Sequence, residues 1–126
     1  MFSLEVEEAF EAAHQIQGYP GKCARLHGHN WLVKAKLTGN QLNHLGMLVD
    51  FKEAKAALKE VLSQYDHRFL NEIPPFSEGT TPTAEHLAQE IYSRLATHKI
   101  FSNGVSLSAI TIWETPKSSV TYSEEK

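Results

Sequence analysis

The chain has 126 residues, of which 41% are hydrophobic and 21% are charged. These are ordinary globular values, and they predict a single domain over residues 1–126. No apolar run approaches the ~20 residues that cross a bilayer, and a net charge of −3 without a dense basic run argues against a nucleic-acid-binding module. The start of the chain lacks the features of a signal peptide, and the lone cysteine, Cys23, has no intrachain disulfide partner. We therefore expect a cytoplasmic protein that keeps Cys23 reduced.

Two long strands are predicted in the first third of the chain. Residues 2–14 alternate between apolar even positions and mostly polar odd positions, and the pattern ends at His14. A loop with two glycines leads to a second alternating segment over 27–40, whose odd positions include His27 and His29. Because alternate side chains of a strand project to the same face, these histidines share the apolar face of their strand. All three histidines are thus expected at the edge of the core.

Changes in periodicity predict the remaining elements. Residues 50–65 place apolar side chains three and four apart behind a potential capping residue, Asp50, and a second helix begins near 81–83. The run 105–115 and a shorter segment around 120–122 have the composition of strands. The predicted order is ββααββ, an α+β domain in which both helices cover one face of an antiparallel sheet. Its polar face and open edges predict association with further copies, because exposed edges are usually paired or closed.

His14, His27 and His29 together predict a metal site, although any one of them alone would be an ordinary polar core residue. Three imidazoles with an open fourth position are typical of catalytic zinc sites. Such a ligand set favours Zn²⁺ over Mg²⁺ or Ca²⁺, while copper, nickel and iron share the ligand type. Cys23 is either a fourth ligand that closes a structural site or a free thiol beside the metal, and its spacing is compatible with both.

Two further features are candidates for a catalytic or ligand-binding role. Asp66 and His67 are adjacent, and an imidazole beside a carboxylate can transfer protons or activate a thiol, although this dipeptide alone is a weak signal. Glu114 lies on an apolar strand. A carboxylate there either faces water at an edge or anchors N–H groups of a ligand.

Five segments in this order resemble the 6-pyruvoyltetrahydropterin synthase family and span nearly the whole chain. They are Phe10-Glu-Ala-Ala-His14, Cys23-x3-His27-Gly28-His29-Asn30, Asp66-His67 with Leu70-Asn71, Pro82-Thr83-Ala84-Glu85, and Trp113-Glu114-Thr115. The three-residue gap between Cys23 and His27 looks like that of the 6-carboxytetrahydropterin synthase branch, which acts in queuosine and deazapurine biosynthesis. Pyruvoyl-forming animal members usually carry a longer gap.

The resemblance implies a tunnelling fold, in which ββααββ subunits form trimeric β-barrels and two trimers stack into a homohexamer. The implied roles are zinc binding for His14, His27 and His29, base catalysis for Cys23, and proton transfer for Asp66 and His67. Glu114 would anchor the pterin ring, and Thr83 would contact the pterin from a neighbouring subunit. Family members often have Thr or Ser where this protein has Ala84, and this departure weakens the expectation for Thr83.

The implied reaction converts 7,8-dihydroneopterin triphosphate into 6-carboxy-5,6,7,8-tetrahydropterin, acetaldehyde and triphosphate. It is a carbon–carbon lyase reaction without a redox cofactor, in which zinc acts as a Lewis acid while Cys23 removes a proton. Lys22, Arg25, Arg68 and Lys117 are candidate cations for the triphosphate. Two rivals stay open: the pyruvoyl-forming reaction on the same substrate, and a non-catalytic zinc-stabilised assembly module in which Cys23 is the fourth ligand.

Overall fold

A five-stranded sheet and two helices form the architecture of the computed structural model, which describes residues 1–21, 25–102 and 104–124. In sequence order the elements are β1 (Phe2–His14), β2 (His27–Gly39), α1 (Phe51–Leu62), β3 (Arg68–Phe69), α2 (Ala84–Leu95), β4 (Ser106–Thr115) and β5 (Ser118–Ser123). Two short 3₁₀ turns, Leu70–Glu72 and Phe76–Glu78, lie between β3 and α2. Within the described ranges, both helices are too short or too polar to serve as a membrane span.

The strands lie side by side in the order β3-β1-β2-β4-β5, and the sheet does not close on itself within one subunit. Neighbours from β1 to β5 pair antiparallel, whereas β3 pairs with β1 in parallel, with Arg68 opposite Ala12 and Phe69 opposite Ala13. The α+β class with two helices is confirmed. The predicted ββααββ order and fully antiparallel sheet are corrected to ββαβαββ with one parallel edge strand. A strand of two residues is too short to show an alternation, and so periodicity could not reveal it.

One hydrophobic core lies between the inward face of the sheet and the two helices. Even positions of β1 such as Val6 and Phe10 are buried, whereas its odd positions through Glu11 are exposed. The rings of Phe10 and Trp31 stack with their centroids 6.2 Å apart. The same alternation makes His14 the last inward residue of β1, so the strand carries an imidazole into the edge of the core.

Both helices begin at a side-chain cap. Asp50 accepts a hydrogen bond of 2.8 Å from the N–H of Lys52 at the start of α1, and Thr83 accepts one of 3.2 Å from the N–H of His86 at the start of α2. Such caps contribute about 1 kcal/mol each. Pro82 lies directly before the cap of α2, outside the helix, so its carbonyl group takes no part in the hydrogen bonds of the helix.

Candidate active site

The three predicted ligand histidines meet at one end of the sheet. His14 lies opposite His27 in the β1–β2 register, and His29 lies opposite Ala12, so all three rings project from the inward face. Their ring centroids are 4.4, 4.7 and 5.2 Å apart. The side chain of His14 is fully buried, whereas His27 and His29 are partly exposed. The group therefore has an interior side formed by the core and an outer side open to a ligand.

Backbone carbonyl groups fix the orientation of two of these rings. Nδ1 of His14 lies 2.8 Å from the carbonyl oxygen of Pro82, and Nδ1 of His27 lies 2.7 Å from that of Arg25. Because a carbonyl only accepts hydrogen bonds, Nδ1 of each ring is the protonated donor, and Nε2 of each neutral ring keeps a free lone pair. Metal-binding histidines are commonly oriented in this way through their second ring nitrogen.

Glu114 is the fourth member of the group. The register between β4 and β5 shifts between Trp113 and Thr115, which places Glu114 at a bulge, and bulges often re-aim a side chain beside a functional site. Its Oε1 atom lies 2.9 Å from Nε2 of His29 and 3.7 Å from Nε2 of His14. Sequence reasoning singled out Glu114 as a carboxylate on an apolar strand, but it did not place that carboxylate among the histidines.

Burial favours the neutral, metal-binding form of two imidazoles of this group, those of His14 and His29. It lowers the pKa of His14 and of His29 below 6.5, because a charged ring would be poorly solvated there, and the nearby Glu114 carboxylate only partly opposes this. Nε2 of His14 and Nε2 of His29 are buried without a hydrogen-bond partner, since the close approach of Glu114 to His29 lacks hydrogen-bond geometry. Buried polar atoms are rarely left in this state. Ring nitrogens and a carboxylate oxygen in such proximity are stabilised by a shared cation.

The four ligand atoms lie within 4.8 Å of one another, so a single ion could contact all of them after small side-chain rotations. In the described part of the protein no second group of this kind occurs. Three imidazole nitrogens and one carboxylate oxygen suit Zn²⁺ better than Mg²⁺ or Ca²⁺, while copper, nickel and iron accept the same ligands.

The predicted proton-transfer pair lies on the opposite face of β1. Oδ1 of Asp66 accepts a hydrogen bond of 2.9 Å from the N–H of Glu11 and lies 3.0 Å from Nδ1 of His67. Nε2 of His67 lies 3.2 Å from Oε2 of Glu11. Glu11 is an outward residue of β1, whereas His14 is an inward one, and the side chain of His67 is 73% exposed. The structure therefore does not bring Asp66 and His67 into the histidine group.

The Asp66–His67 pair is nevertheless well fixed. The backbone of His67 is left-handed, with a φ of 59°, a conformation that few residues other than glycine adopt. The hydrogen bond from the N–H of Glu11 lowers the pKa of Asp66, and the hydrogen bond to His67 acts in the same direction. Asp66 is thus a carboxylate at neutral pH and can accept a proton or orient the imidazole beside it.

An open cleft of about 520 Å³ lies beside His67. Its floor is formed by two small residues, Ala13 and Gly28, which face each other across β1 and β2. Its polar walls come from Glu11, Asn30, His67 and Arg68, and His29 also borders it. A Cβ atom at Gly28 would meet no atom within 4 Å, and its φ is not left-handed. Neither packing nor backbone conformation among the described residues therefore requires glycine at this position.

Three further predicted residues remain: Thr83, Cys23 and Lys22. Thr83 is next to Pro82, which holds the ring of His14, but the Thr83 hydroxyl oxygen already accepts the capping hydrogen bond of α2. Cys23 and Lys22 lie outside the described residues.

Comparison with known proteins identifies the family of this protein. A family model described as 6-pyruvoyl tetrahydropterin synthase matches residues 3–125. The chain belongs to the 6-pyruvoyl tetrahydropterin synthase family. The resemblance carried by the five sequence segments is therefore confirmed.

Relatives with both kinds of name are similar to this protein. The 6-carboxy-5,6,7,8-tetrahydropterin synthase of Haemophilus influenzae is 31% identical, with 98% of this chain and 100% of the relative covered. The protein of that name in Bacillus subtilis is 32% identical, with coverages of 99% and 87%. The solved structure of Caenorhabditis elegans 6-pyruvoyl tetrahydropterin synthase superposes with a TM-score of 0.84 at 31% identity, covering 98% of this chain and 96% of that one. Overall identity therefore does not distinguish the two reactions.

Proposed function

We propose that this protein is a zinc-dependent 6-carboxy-5,6,7,8-tetrahydropterin synthase, a carbon–carbon lyase of queuosine and deazapurine biosynthesis. Its substrate would be 7,8-dihydroneopterin triphosphate, and its products 6-carboxytetrahydropterin, acetaldehyde and triphosphate. The observation that carries the proposal is the inward group of three histidines and Glu114 in a protein of this family. The short spacing between Cys23 and His27, together with the names of the H. influenzae and B. subtilis relatives, favours the carboxy product.

The histidine group fits a zinc ion because two of its buried ring nitrogens lack any other partner. His14, His27 and His29 would hold the ion, and bound zinc supplies Lewis-acid polarisation of a substrate oxygen. With three histidine ligands the fourth position stays open for that oxygen, and Glu114 lies beside it. Cys23 is then proposed not as a fourth ligand but as a free thiol that acts as the base.

Glu114 is also proposed to anchor the pterin ring. A carboxylate accepts hydrogen bonds at both oxygens and can therefore receive two N–H groups of a pterin. The side chain of Glu114 is 27% exposed, so a ligand can reach it from solvent. Its position beside the histidines would place the pterin against the metal group, with the substrate's side chain over the ring nitrogens.

Proton transfer is assigned to Cys23, Asp66 and His67. Each ring nitrogen of His67 has a carboxylate neighbour, Asp66 at Nδ1 and Glu11 at Nε2, so the ring can hold a proton at either position and pass it on. The net reaction eliminates triphosphate and, with uptake of water, cleaves a carbon–carbon bond in the side chain of the pterin. Reduction of the pterin ring balances oxidation of that side chain, and no redox cofactor is required.

We further propose that the active enzyme is a cytoplasmic homohexamer of two stacked trimers. β5 ends the sheet on one side, and on the other side β3 covers only Ala12 and Ala13 of β1. Both edges thus offer backbone groups for pairing with further copies, which would close a tunnelling-fold barrel. In such an assembly the exposed Asp66–His67 pair of one copy can face the histidine group of a neighbour, and Thr83 can approach a neighbour's pterin.

The proposal is tested by incubating the zinc-loaded protein with 7,8-dihydroneopterin triphosphate and identifying the products by mass spectrometry. 6-Carboxytetrahydropterin with acetaldehyde is the expected result. Pyruvoyltetrahydropterin without acetaldehyde would assign the protein to the sister reaction, the alternative that the likeness to the C. elegans enzyme favours. No turnover by folded, zinc-replete protein would overturn both enzymatic assignments. A Cys23 thiol protected from titration by the metal would then support a structural zinc module.

A further inference from the structure

A side-chain amide pairs with the backbone directly after His14. Oδ1 of Asn71 accepts a hydrogen bond of 2.9 Å from the N–H of Gln15, and Nδ2 of Asn71 donates one of 2.9 Å to the carbonyl of the same residue. Both atoms of the amide are thus used on one residue, so a single side chain supplies the acceptor and the donor that the backbone of a neighbouring strand would supply. The chemistry fixes the orientation of the amide, because only its oxygen can accept and only its nitrogen can donate.

This pairing continues the register of β3 beyond the end of that strand. Ala12 pairs with Arg68 and Ala13 with Phe69 in the parallel ladder. Gln15 and Asn71, which are 56 positions apart, have the same sequence separation as those pairs. After Phe69 the protein enters the 3₁₀ turn Leu70–Glu72, and its backbone no longer runs alongside β1. The carboxamide of Asn71 therefore supplies the acceptor and the donor that a continued β3 backbone would have supplied.

His14 lies between the last backbone pair of this ladder and the side-chain pair that follows it. Its ring is fully buried, with Nδ1 held by the carbonyl of Pro82 and Nε2 directed towards the other ligands of the group. If the backbone at His14 is displaced, the buried ring cannot reorient freely to compensate, because the surrounding core is close-packed. The direction of Nε2 thus depends on the backbone position that Asn71 secures.

We propose that Asn71 is a positioning residue of the metal group: its two hydrogen bonds to Gln15 fix the backbone at His14 and thereby aim Nε2 at the ion. The inference rests on the proposed zinc site. Loss of a direct outer partner of a metal ligand typically lowers metal affinity 10–100-fold. Asn71 acts through the backbone of the adjacent residue, so Asn71→Ala should weaken zinc binding by about tenfold, the lower end of that range.

Two variants and one control test this role. Asn71→Ala removes both hydrogen bonds, and Asn71→Asp keeps an acceptor for the N–H of Gln15 but presents an oxygen to its carbonyl. Asn43→Ala is the matched control. The Asn43 side chain also accepts hydrogen bonds from backbone N–H groups, those of Leu45 and Met47, but in the loop after the far end of β2.

The zinc dissociation constant of each protein is measured by competition with a chromophoric chelator, and the visible spectrum of each Co²⁺-loaded form reports the ligand geometry. The expected order of affinity is the unsubstituted protein and Asn43→Ala together, then Asn71→Asp, then Asn71→Ala. The Co²⁺ spectrum should change only in the Asn71 variants.

Equal zinc affinity and equal spectra in all four proteins would overturn the positioning role. If Asn71→Ala does not fold, the test rests on Asn71→Asp. An unchanged zinc dissociation constant and an unchanged Co²⁺ spectrum in that variant would also overturn the positioning role. Absence of zinc binding by the unsubstituted protein would overturn the proposed metal site and this inference with it. The affinity of the unsubstituted protein therefore distinguishes failure of the site from failure of the inference.

Discussion

The histidine group and the Asp66–His67 pair differ in how much of their surroundings a single subunit supplies. His14 is 0% exposed, and backbone carbonyl groups orient its ring and that of His27. The His67 side chain, by contrast, is 73% exposed beside an open cleft. One subunit therefore forms a nearly complete metal group, whereas the Asp66–His67 pair becomes enclosed only when a substrate or a second copy covers it.

The difference arises because side chains of β1 project alternately to the two faces of the sheet. Glu11 and His14 are close in sequence, yet Glu11 faces outward with Asp66 and His67, while His14 faces the core. Substitutions that separate metal binding from proton transfer should therefore affect one region and leave the other intact.

The largest effect is expected when a residue of the histidine group is substituted and the bound metal is lost. His27→Ala should lose bound zinc and reduce turnover to background, because it removes a ligand from a partly exposed position without opening a large cavity in the core. Zinc content is measured by inductively coupled plasma mass spectrometry beside turnover. The exposed-loop variant His44→Ala is the control and should retain both. Full zinc content in His27→Ala would remove that residue from the ligand set.

Substitution in the Asp66–His67 pair should slow the catalysed reaction without releasing the metal. His67→Ala is expected to reduce kcat by about 10²–10⁴-fold, the usual contribution of a general acid or base, with zinc content unchanged. Steady-state kinetics and metal analysis on the same preparation check both. Zinc loss in this variant would contradict the separation of the two regions, because it would show that metal binding depends on His67.

A bulkier residue in the cleft should impair function with little effect on the fold. A Cβ atom at Gly28 finds open space, and Gly28→Val should change the free energy of unfolding by no more than about 0.5 kcal/mol. It should nevertheless lower turnover by narrowing the approach to His67 and His29. The matched control is Gly39→Val, in the same strand, where a Cβ would lie 2.7 Å from Leu48 and 2.8 Å from the carbonyl of Gly104. That variant should lose about 1–3 kcal/mol of stability.

Urea denaturation and turnover assays compare the two glycine variants. Unchanged turnover in Gly28→Val would show that neither substrate nor a neighbouring copy uses the cleft.

The smallest expected effect is a pH dependence of the free energy of unfolding of the metal-free protein. Burial lowers the pKa of His14 and of His29 below 6.5, so between the folded and unfolded pKa values the unfolded state binds more protons than the folded one. Stability then rises with pH through this window, and it is lost as the pH falls below about 6.5. The urea midpoint should accordingly be lower at about pH 5.5 than at about pH 7.5. His14→Gln should show a weaker dependence, and an equal dependence in both proteins would contradict this origin.

Long periodic patterns predicted much of the fold. The alternation of residues 2–14 placed His14 at the inward end of β1, and a capping pattern placed the start of α1 close to Asp50. The predicted start of the second helix, near 81–83, lies within three residues of Ala84, where α2 begins. Periodicity missed β3 because two residues carry no period.

The candidate site was predictable as a set of residue types but only partly as a geometry. The bulge that turns Glu114 towards the histidines is a local shift in strand register, and hydrophobic pattern does not report it. Asn71 reaches Gln15 across 56 positions, so no local spacing could reveal its contact. The outward position of His67 depends on which face of β1 the loop after α1 reaches, and its dipeptide with Asp66 does not specify that face.

Complementation between impaired variants tests most directly the claim that the two regions act across copies of the protein. His27→Ala lacks the metal group but keeps Asp66 and His67, while His67→Ala has the opposite defect. Refolding the two together should give mixed assemblies, verified by native mass spectrometry, that convert 7,8-dihydroneopterin triphosphate much faster than either variant alone. Mixed assemblies with no more activity than the separate variants would contradict that claim and place the metal group and its proton-transfer pair at work within one subunit.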